Sequence, residues 1–350
     1  MAFHGAVAAF AACARGQTPE RIPVFALGLE FDMRAEGVTC AEARTDVDRT
    51  AHATVAAVER FDYDWAMVFP DDYVEFEPLG LAMRHDPDTP AMPEQYLPMN
   101  GETLRGFRIP DAGKDMRLPI HLETIRRLKA NLGDTVCVAG RIAAPFSSLA
   151  LVYGMDALLT GMLLEPGLVR DHTRFFVEHQ IAFGKAQFEA GADVLWLGDC
   201  VAGSRFISAQ HYEQFAFGPA AQVASALSGE DSHLIYHAAE TSLPHLRLEI
   251  QLPVSAVNLG EGVSVAEVKK ELAPAICLMG NFDPILLRDG SPEQVAQATR
   301  NMIRDNSPGG PYLFNTGEGV TPDTPPENVL AMMTAAKERF AQEQEKRVCV

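Results

Sequence analysis

The sequence predicts a (β/α)8 TIM barrel with a helix ahead of the first strand and a long insertion after the second. Three observations carry this. Eight short apolar runs recur along the 350 residues, each followed by a helical pattern. The runs are near-continuously apolar rather than alternating, as in parallel strands covered on both faces. Polar residues gather at their C-terminal ends, where the loops of a barrel meet on one face. Eight such units favour a closed barrel over an open doubly wound sheet. No low-complexity linker divides the chain, so residues 1–350 read as one barrel domain.

Met1–Ala14 is apolar, lacks a basic leading region and is followed by Arg15. It reads as a first helix rather than a signal peptide. Ile22–Leu27 is the first strand. Thr45–Arg60 is a helix capped by Thr45 or Asp46, and Trp65–Pro70 is the second strand. Asp71–Arg117, rich in proline and charge, is too long for a simple connection and reads as a lid or cover over one barrel mouth. Helix His121–Leu132 leads to strand three, Thr135–Gly140. Helices Leu149–Leu164 and Pro166–Ala190 lead to strand four, Val194–Gly198, and helix Ala209–Leu227 follows it. Strands five and six are His233–Ala238 and Val254–Gly260. Helix Val265–Leu272 leads to strand seven, Ala275–Asn281, and helix Pro292–Asp305 to strand eight, Pro311–Gly317. The closing helix is Pro326–Lys346, with Thr324 as N-cap and Glu327 in its positive first turn.

A net charge of −18 argues against nucleic acid and anionic membranes, which require basic surfaces. No apolar run approaches the length of a spanning helix. The six cysteines are scattered without a C-x-x-C pair, which suits a reducing cytoplasm better than a disulfide framework.

The polar residues at strand ends are Glu30 and Asp32, Asp71 and Asp72, Arg141, Asp199 and Cys200, His237 and Glu240, Asn258, Asn281 and Asp283, and Glu318. Glu318 sits between Gly317 and Gly319 on a tight turn between strand eight and the closing helix. An isolated loop glutamate is ordinarily just solvated. Convergence with seven other strand ends is what marks this one as functional.

The segments MGNFDPILLRDGSPEQV (Met279–Val295) and LFNTGEGVTPDTPPENV (Leu313–Val329) resemble the uroporphyrinogen decarboxylase superfamily. Its signature is GN-x-DP, a long helix, then a G-x-G turn before TP-x-EN. Gly140–Gly154, Gly191–Gly203 and Phe69–Gly80 resemble it too, so the likeness runs over nearly the whole chain. It implies a (β/α)8 barrel and two candidate chemistries. The decarboxylase branch holds its polyacidic substrate with arginines near the first strand, and here Gly28 and Asp32 stand at those positions. Cys200 stands in place of that branch's serine and Glu318 in place of its histidine, although Asp71 occupies the position of the decarboxylase aspartate. Replacing Arg with Asp removes a bidentate cation and adds like charge, so the comparison excludes porphyrinogen decarboxylation.

The segment GRIAAPFSS (Gly140–Ser148) is more similar to the other branch, methyltransferases of the methylcobamide:coenzyme M type. That branch binds zinc through H-x-C after strand five and a Cys after strand eight, which stabilises a thiolate nucleophile. Here His237 is kept, Ala239 replaces the second ligand and Glu318 the third. The resemblance thus implies zinc on His237, Glu318 and Cys200, with Glu240 or Asp199 as alternatives to Cys200. The activity it implies moves a methyl group between a methylcorrinoid protein and a small acceptor, a thiol such as coenzyme M or tetrahydrofolate. No corrinoid-binding D-x-H-x-x-G segment is present, so the corrinoid protein is a separate partner, and the chain is expected as a cytoplasmic monomer or homodimer. Asp71, Glu318 and Asp199 are the acid–base candidates. Arg141, Asn258, Asn281 and Asp283 are the substrate-binding candidates. Asn281 and Asp283 have a second reading, in which they cap the next helix and tie the turn, and Arg141 has one as a partner of Asp199. A different class of function is a metal-free decarboxylase or lyase acting on a small carboxylic acid through Asp71, His237 and Glu318. A third is a binding protein that keeps the barrel mouth without its chemistry.

Overall fold

In the computed structural model the chain forms the barrel that the sequence predicts. The structure describes residues 5–348 apart from Glu20, Phe69, Pro70, His85 and 273–275, with side chains described to Glu338. The first four residues, the end of the expected second strand, Ala275 of the expected seventh and Cys349 lie outside the described residues. The barrel strands are β1 (Val24–Phe25), β2 (Trp65–Met67), β3 (Cys137–Ala143), β4 (Val194–Gly198), β5 (His233–Glu240), β6 (Ala256–Leu259), β7 (Cys277–Met279) and β8 (Tyr312–Asn315). They run parallel; from β2 to β8 each is paired with the next, and β8 returns to β1. Asp64 completes the ring between β1 and β2. Its N–H donates to the Val24 carbonyl at 3.2 Å, and its carboxylate accepts the Val24 N–H at 2.8 Å and pairs with Arg21.

The period-two alternation of each strand divides its apolar residues between two cores. Inward residues, among them Phe25, Trp65, Val194, Trp196, Ile235 and Leu313, fill the barrel. Phe10 and Cys13 of helix Ala6–Ala14 join that cluster. Phe10 packs on Phe25 (5.5 Å between ring centroids) and on His233 (5.3 Å), the first residue of β5. This helix therefore plugs the N-terminal end of the barrel, which leaves the C-terminal end as the mouth. Outward residues pack against the helices in a larger cluster.

Several elements differ from the sequence reading. The expected helix Leu149–Leu164 is two helices, Pro145–Tyr153 and Met155–Leu164, bent by 116° at Gly154, whose φ of 82° a side chain would strain. Helix 209–227 contains a π-helical stretch, Tyr212–Phe217, and Tyr212 is fully buried. Asp46, not Thr45, caps helix Val47–Phe61 by accepting the Arg49 N–H. Short helices Leu29–Ala35, Cys40–Thr45, Leu243–Glu249 and Pro284–Asp289 fall below the length that periodicity detects. Residues 71–117 hold an antiparallel ribbon (Met83–Arg84 with Met92–Pro93) and a short helix, Gly101–Gly106. They lie over the helices that follow β3: Phe107 packs on Phe175 at 5.1 Å, and the Leu97 N–H bonds the Val152 carbonyl at 2.9 Å. Among the described residues, no single helix is long and apolar enough to cross a membrane.

Candidate active site

The strand ends surround a pocket of about 300 Å³ at the mouth. Trp196 on β4, Met67 on β2, Leu27 and Leu151 form apolar walls, and Glu30, Asp72, Arg141, Cys200, His237 and Glu318 bring the polar groups. The polar groups fall into two sets.

One set is a hydrogen-bonded chain behind His237. Asn315 Oδ1 accepts the Gly317 N–H at 2.9 Å, so its Nδ2 faces and donates to the Phe25 carbonyl. Asn258 Nδ2 donates to that same Asn315 Oδ1 at 2.9 Å, which turns Asn258 Oδ1 toward His237 Nδ1 at 2.7 Å. With each amide oriented by the next, Nδ1 carries a proton and Nε2 is left facing the pocket. Nε2 stands 3.9 Å from Glu318 Oε2. The His237 ring lies 4.6 Å from the Trp196 ring, centroid to centroid. Burial alone would lower the His237 pKa. The Cys200 sulfur, the Glu318 carboxylate and the Asn258 oxygen outweigh it and raise the value to about 9. Around neutral pH His237 is thus a cation aimed at the pocket.

Glu318 reaches this position through its turn. Gly317 adopts φ 71°, which lets the Glu318 N–H bond back to the Thr316 carbonyl at 2.7 Å. The Leu27 N–H donates to Thr316 Oγ1 and the Val320 N–H to the Leu27 carbonyl, which fixes the loop to the chain after β1. The side chain itself is 48% exposed.

The other set is a mesh of ion pairs after β2 and β3. Arg141 is buried, pairs with Asp72 at 2.8 Å, donates to the Asp71 carbonyl at 3.0 Å and approaches Glu75 at 4.0 Å. It does not pair with Asp199. Glu75 is fully buried, and that burial raises its pKa to about 7 against the opposing pull of Arg141, the Ala143 N–H and Gln180. Burial also raises the pKa of Glu30, and the Asp72 charge adds to the effect.

Five of the candidates do not line the pocket. Asp71 turns behind the mouth, bonded by Arg117 at 2.7 Å and approached by Arg44 at 3.8 Å. A two-residue period from Met67 puts Asp71 on the pocket face, but its side chain accepts the Tyr73 N–H in an Asx turn that breaks the period and presents Asp72 instead. Asp199 is fully buried. Its oxygens accept Ser147 N–H and Oγ–H and the Tyr236 hydroxyl, and burial raises its pKa to about 6. Asn281 donates to the Gly260 and Val263 carbonyls, and Asp283 caps helix Pro284–Asp289. Asn258 is buried within the chain behind His237. Asp72, Glu30 and Trp196 line the pocket, and Asn315 orients His237 through Asn258. Of these, only Glu30 and Asp72 carried a signal in the sequence, as acids at strand ends.

The zinc that the methyltransferase resemblance implies can be tested against this donor set. His237 Nε2, Glu318 and Cys200 share one pocket wall. The position of the second ligand is Ala239, which has no donor. The alternatives are committed: Glu240 accepts Ser204, Thr241 and Ser242, and Asp199 accepts Ser147 and Tyr236. Among the described residues, no group of three His, Cys, Asp or Glu is disposed to hold a metal ion. Two of the donors converge closely, but structural and catalytic zinc sites alike require three or four, so the expected cage is not formed here.

A family model described as uroporphyrinogen decarboxylase (URO-D) matches residues 7–339. Among curated relatives, the uroporphyrinogen decarboxylase of Anaeromyxobacter dehalogenans is 26% identical over 349 residues, covering 93% of this chain and 97% of that one. The methylcobamide:CoM methyltransferase MtbA of Methanosarcina acetivorans is 25% identical over 315 residues, covering 87% and 88%. Among solved structures, a methyltransferase from Methanosarcina mazei superimposes with a TM-score of 0.87 at 21% identity, covering 97% of this chain and 99% of that one. That last likeness establishes the fold.

Proposed function

Because the chain belongs to the uroporphyrinogen decarboxylase family, we propose that it is an enzyme of the methyltransferase branch. It moves a methyl group between a methylcorrinoid protein and a small acceptor such as a thiol or tetrahydrofolate. The observation that carries this is the pairing of a cationic His237 with a half-exposed Glu318 across a pocket of about 300 Å³. That volume lies at the low end for ligand sites. The pocket's Arg141 is already matched by Asp72 and Glu75, which suits a small acceptor better than a polyacidic tetrapyrrole.

In the reaction, the methylcorrinoid substrate supplies an electrophilic methyl group. Glu318, open to solvent, takes the acceptor's proton, from a thiol S–H before transfer or from an amine N–H as its nitrogen takes up the methyl group. With a thiol acceptor, His237 Nε2–H faces the thiolate so formed and stabilises it in a site partly shielded from water. The new bond to carbon forms as the methyl–cobalt bond breaks, with the electron pair leaving on cobalt. Asn258 and Asn315 hold the imidazole in place, and Trp196 floors the pocket. Residues 71–117 act as the cover of this mouth, with Asp72 and Pro90 at its rim.

A second reading is a decarboxylase or lyase acting on a small carboxylic acid; several relatives carry the name uroporphyrinogen decarboxylase, which supports decarboxylation as a reaction class and not that substrate. The Arg117 and Arg44 partners of Asp71 weigh against it, since they hold that acid behind the mouth. Purified protein incubated with methylcobalamin and a panel of thiols and tetrahydrofolate separates the two. Acceptor-dependent loss of the methylcobalamin spectrum is the expected result. Carbon dioxide release from a small acid, without demethylation, would replace this reading with the second.

A further inference from the structure

The charged groups that line the pocket can be matched one against another. Arg141 pairs with Asp72 at 2.8 Å and approaches Glu75 at 4.0 Å. His237 Nε2 stands 3.9 Å from Glu318, and the Cys200 sulfur also holds its charge. Glu30 is left over. Beyond its own backbone N–H, its carboxylate has no hydrogen bond or ion pair among the described residues. The charge that acts on it is that of Asp72, which has the same sign.

The chain after β1 brings this acid to the pocket wall. Gly28 turns into helix Leu29–Ala35 so tightly that a Cβ there would stand 2.0 Å from the Asp32 carboxylate. Asp32 is itself buried and taken up, since it accepts the Tyr63 hydroxyl at 3.2 Å. Leu29, beside Glu30, is held at φ 46°. A left-handed non-glycine residue kept by its surroundings is a feature of ligand sites. Its side chain lies against the turn that follows β8, where a Cβ on Gly319 would stand 3.2 Å from Leu29 Cδ1. The turns that carry Glu30 and Glu318 are thus pressed together at the ends of two paired strands.

This arrangement discriminates between ligands by charge. A thiol that loses its proton to Glu318 leaves a thiolate beside His237. A second negative group on the same molecule would face Glu30 with like charge. An ammonium would instead supply the counterion that Glu30 lacks, and offset the cost that burial and Asp72 place on its ionised form. The chain's net charge of −18 favours the cation as well.

We infer that Glu30 sets the specificity of the pocket, which takes a small thiol bearing an ammonium group, with that group on Glu30 and the sulfur at His237 and Glu318. This deepens the methyl-transfer reading and rests on it for the fate of the sulfur. The preference for a cation is a property of the pocket itself.

The test is calorimetric titration of the full-length protein with cysteamine, 2-mercaptoethanol and 3-mercaptopropionate. Cysteamine should bind tightest and 3-mercaptopropionate weakest. Glu30→Gln should weaken cysteamine on the order of tenfold and leave the neutral 2-mercaptoethanol unchanged. Glu30→Lys should turn the preference toward 3-mercaptopropionate. Absence of cysteamine binding, equal affinity for the three thiols, or a preference for cysteamine that survives Glu30→Gln would overturn the inference. Glu30-dependent binding of cysteamine in a protein that never demethylates methylcobalamin would uphold the charge preference while removing the methyl-transfer reading. Demethylation that runs best with 3-mercaptopropionate would do the reverse.

Discussion

The two halves of the barrel mouth are built on opposite electrostatic plans. After β2 and β3, Asp71, Asp72, Glu75, Glu77, Arg44, Arg117 and Arg141 form a mesh in which nearly every charge meets its opposite. After β4 to β8, the buried Asp199 and Glu240 are likewise bonded, but the chain Asn315–Asn258–His237 ends in a cation, and Cys200 and Glu318 stand at its open side. The difference separates positioning from chemistry. A neutralised mesh holds the insertion on the barrel, while an incompletely matched cation and carboxylate are available to an incoming ligand. Perturbed titration alone does not distinguish the halves, because burial raises Glu75 as well as Asp199. Access to the pocket does.

Mutations can break this comparison, and the largest effect should fall on His237. His237→Ala should lower methyl transfer by roughly 10²–10⁴-fold in steady-state assays, the range for loss of a group acting on the reacting atoms. A loss under threefold would put the chemistry elsewhere. Asp71→Asn should instead act on folding. It leaves Arg117 and Arg44 beside a neutral partner in a buried site, and the urea unfolding free energy should drop by about 3 kcal/mol. Turnover per folded molecule should change little. A collapse of kcat at unchanged stability would return Asp71 to the catalytic group.

Glu318→Gln should cost roughly ten- to a hundredfold in turnover, with no measurable change in melting temperature, because the side chain is half exposed. The smallest effect is on pH dependence. The His237 pKa is raised in the folded state to about 9, above its ordinary 6.5. Its stabilisation is therefore complete below pH 6.5 and disappears as the pH rises through about 9. The urea midpoint of the wild type should fall between pH 7 and pH 10 by more than that of His237→Gln. Parallel curves would mean that the imidazolium is not held by its neighbours.

The barrel was legible in the sequence because strands buried on both faces have no other composition available, and the eight apolar runs coincide with the eight strands. Helix interruptions were less legible. Gly154 and the π-helical turn at Tyr212 interrupt apolar patterns that continue through them. At the mouth, sequence position located the ring of polar residues without saying which way each one points. Asp71 and Asp72 are adjacent acids, and a single Asx turn exchanges their faces. Asp199, Asn281 and Asp283 sit at the expected strand ends, but local N–H groups, carbonyls and hydroxyls take up their side chains. Asn315 carried no signal, since its role depends on a contact with Asn258, 57 residues away.

The most direct measurement is a crystal structure with a thiol acceptor bound. A sulfur within about 3.5 Å of both His237 Nε2 and the Glu318 carboxylate, the separation of a near-attack geometry, and remote from Asp71, is the predicted result. A sulfur seated against Asp71, with Arg117 displaced, would contradict the assignment of chemistry to the β4–β8 half.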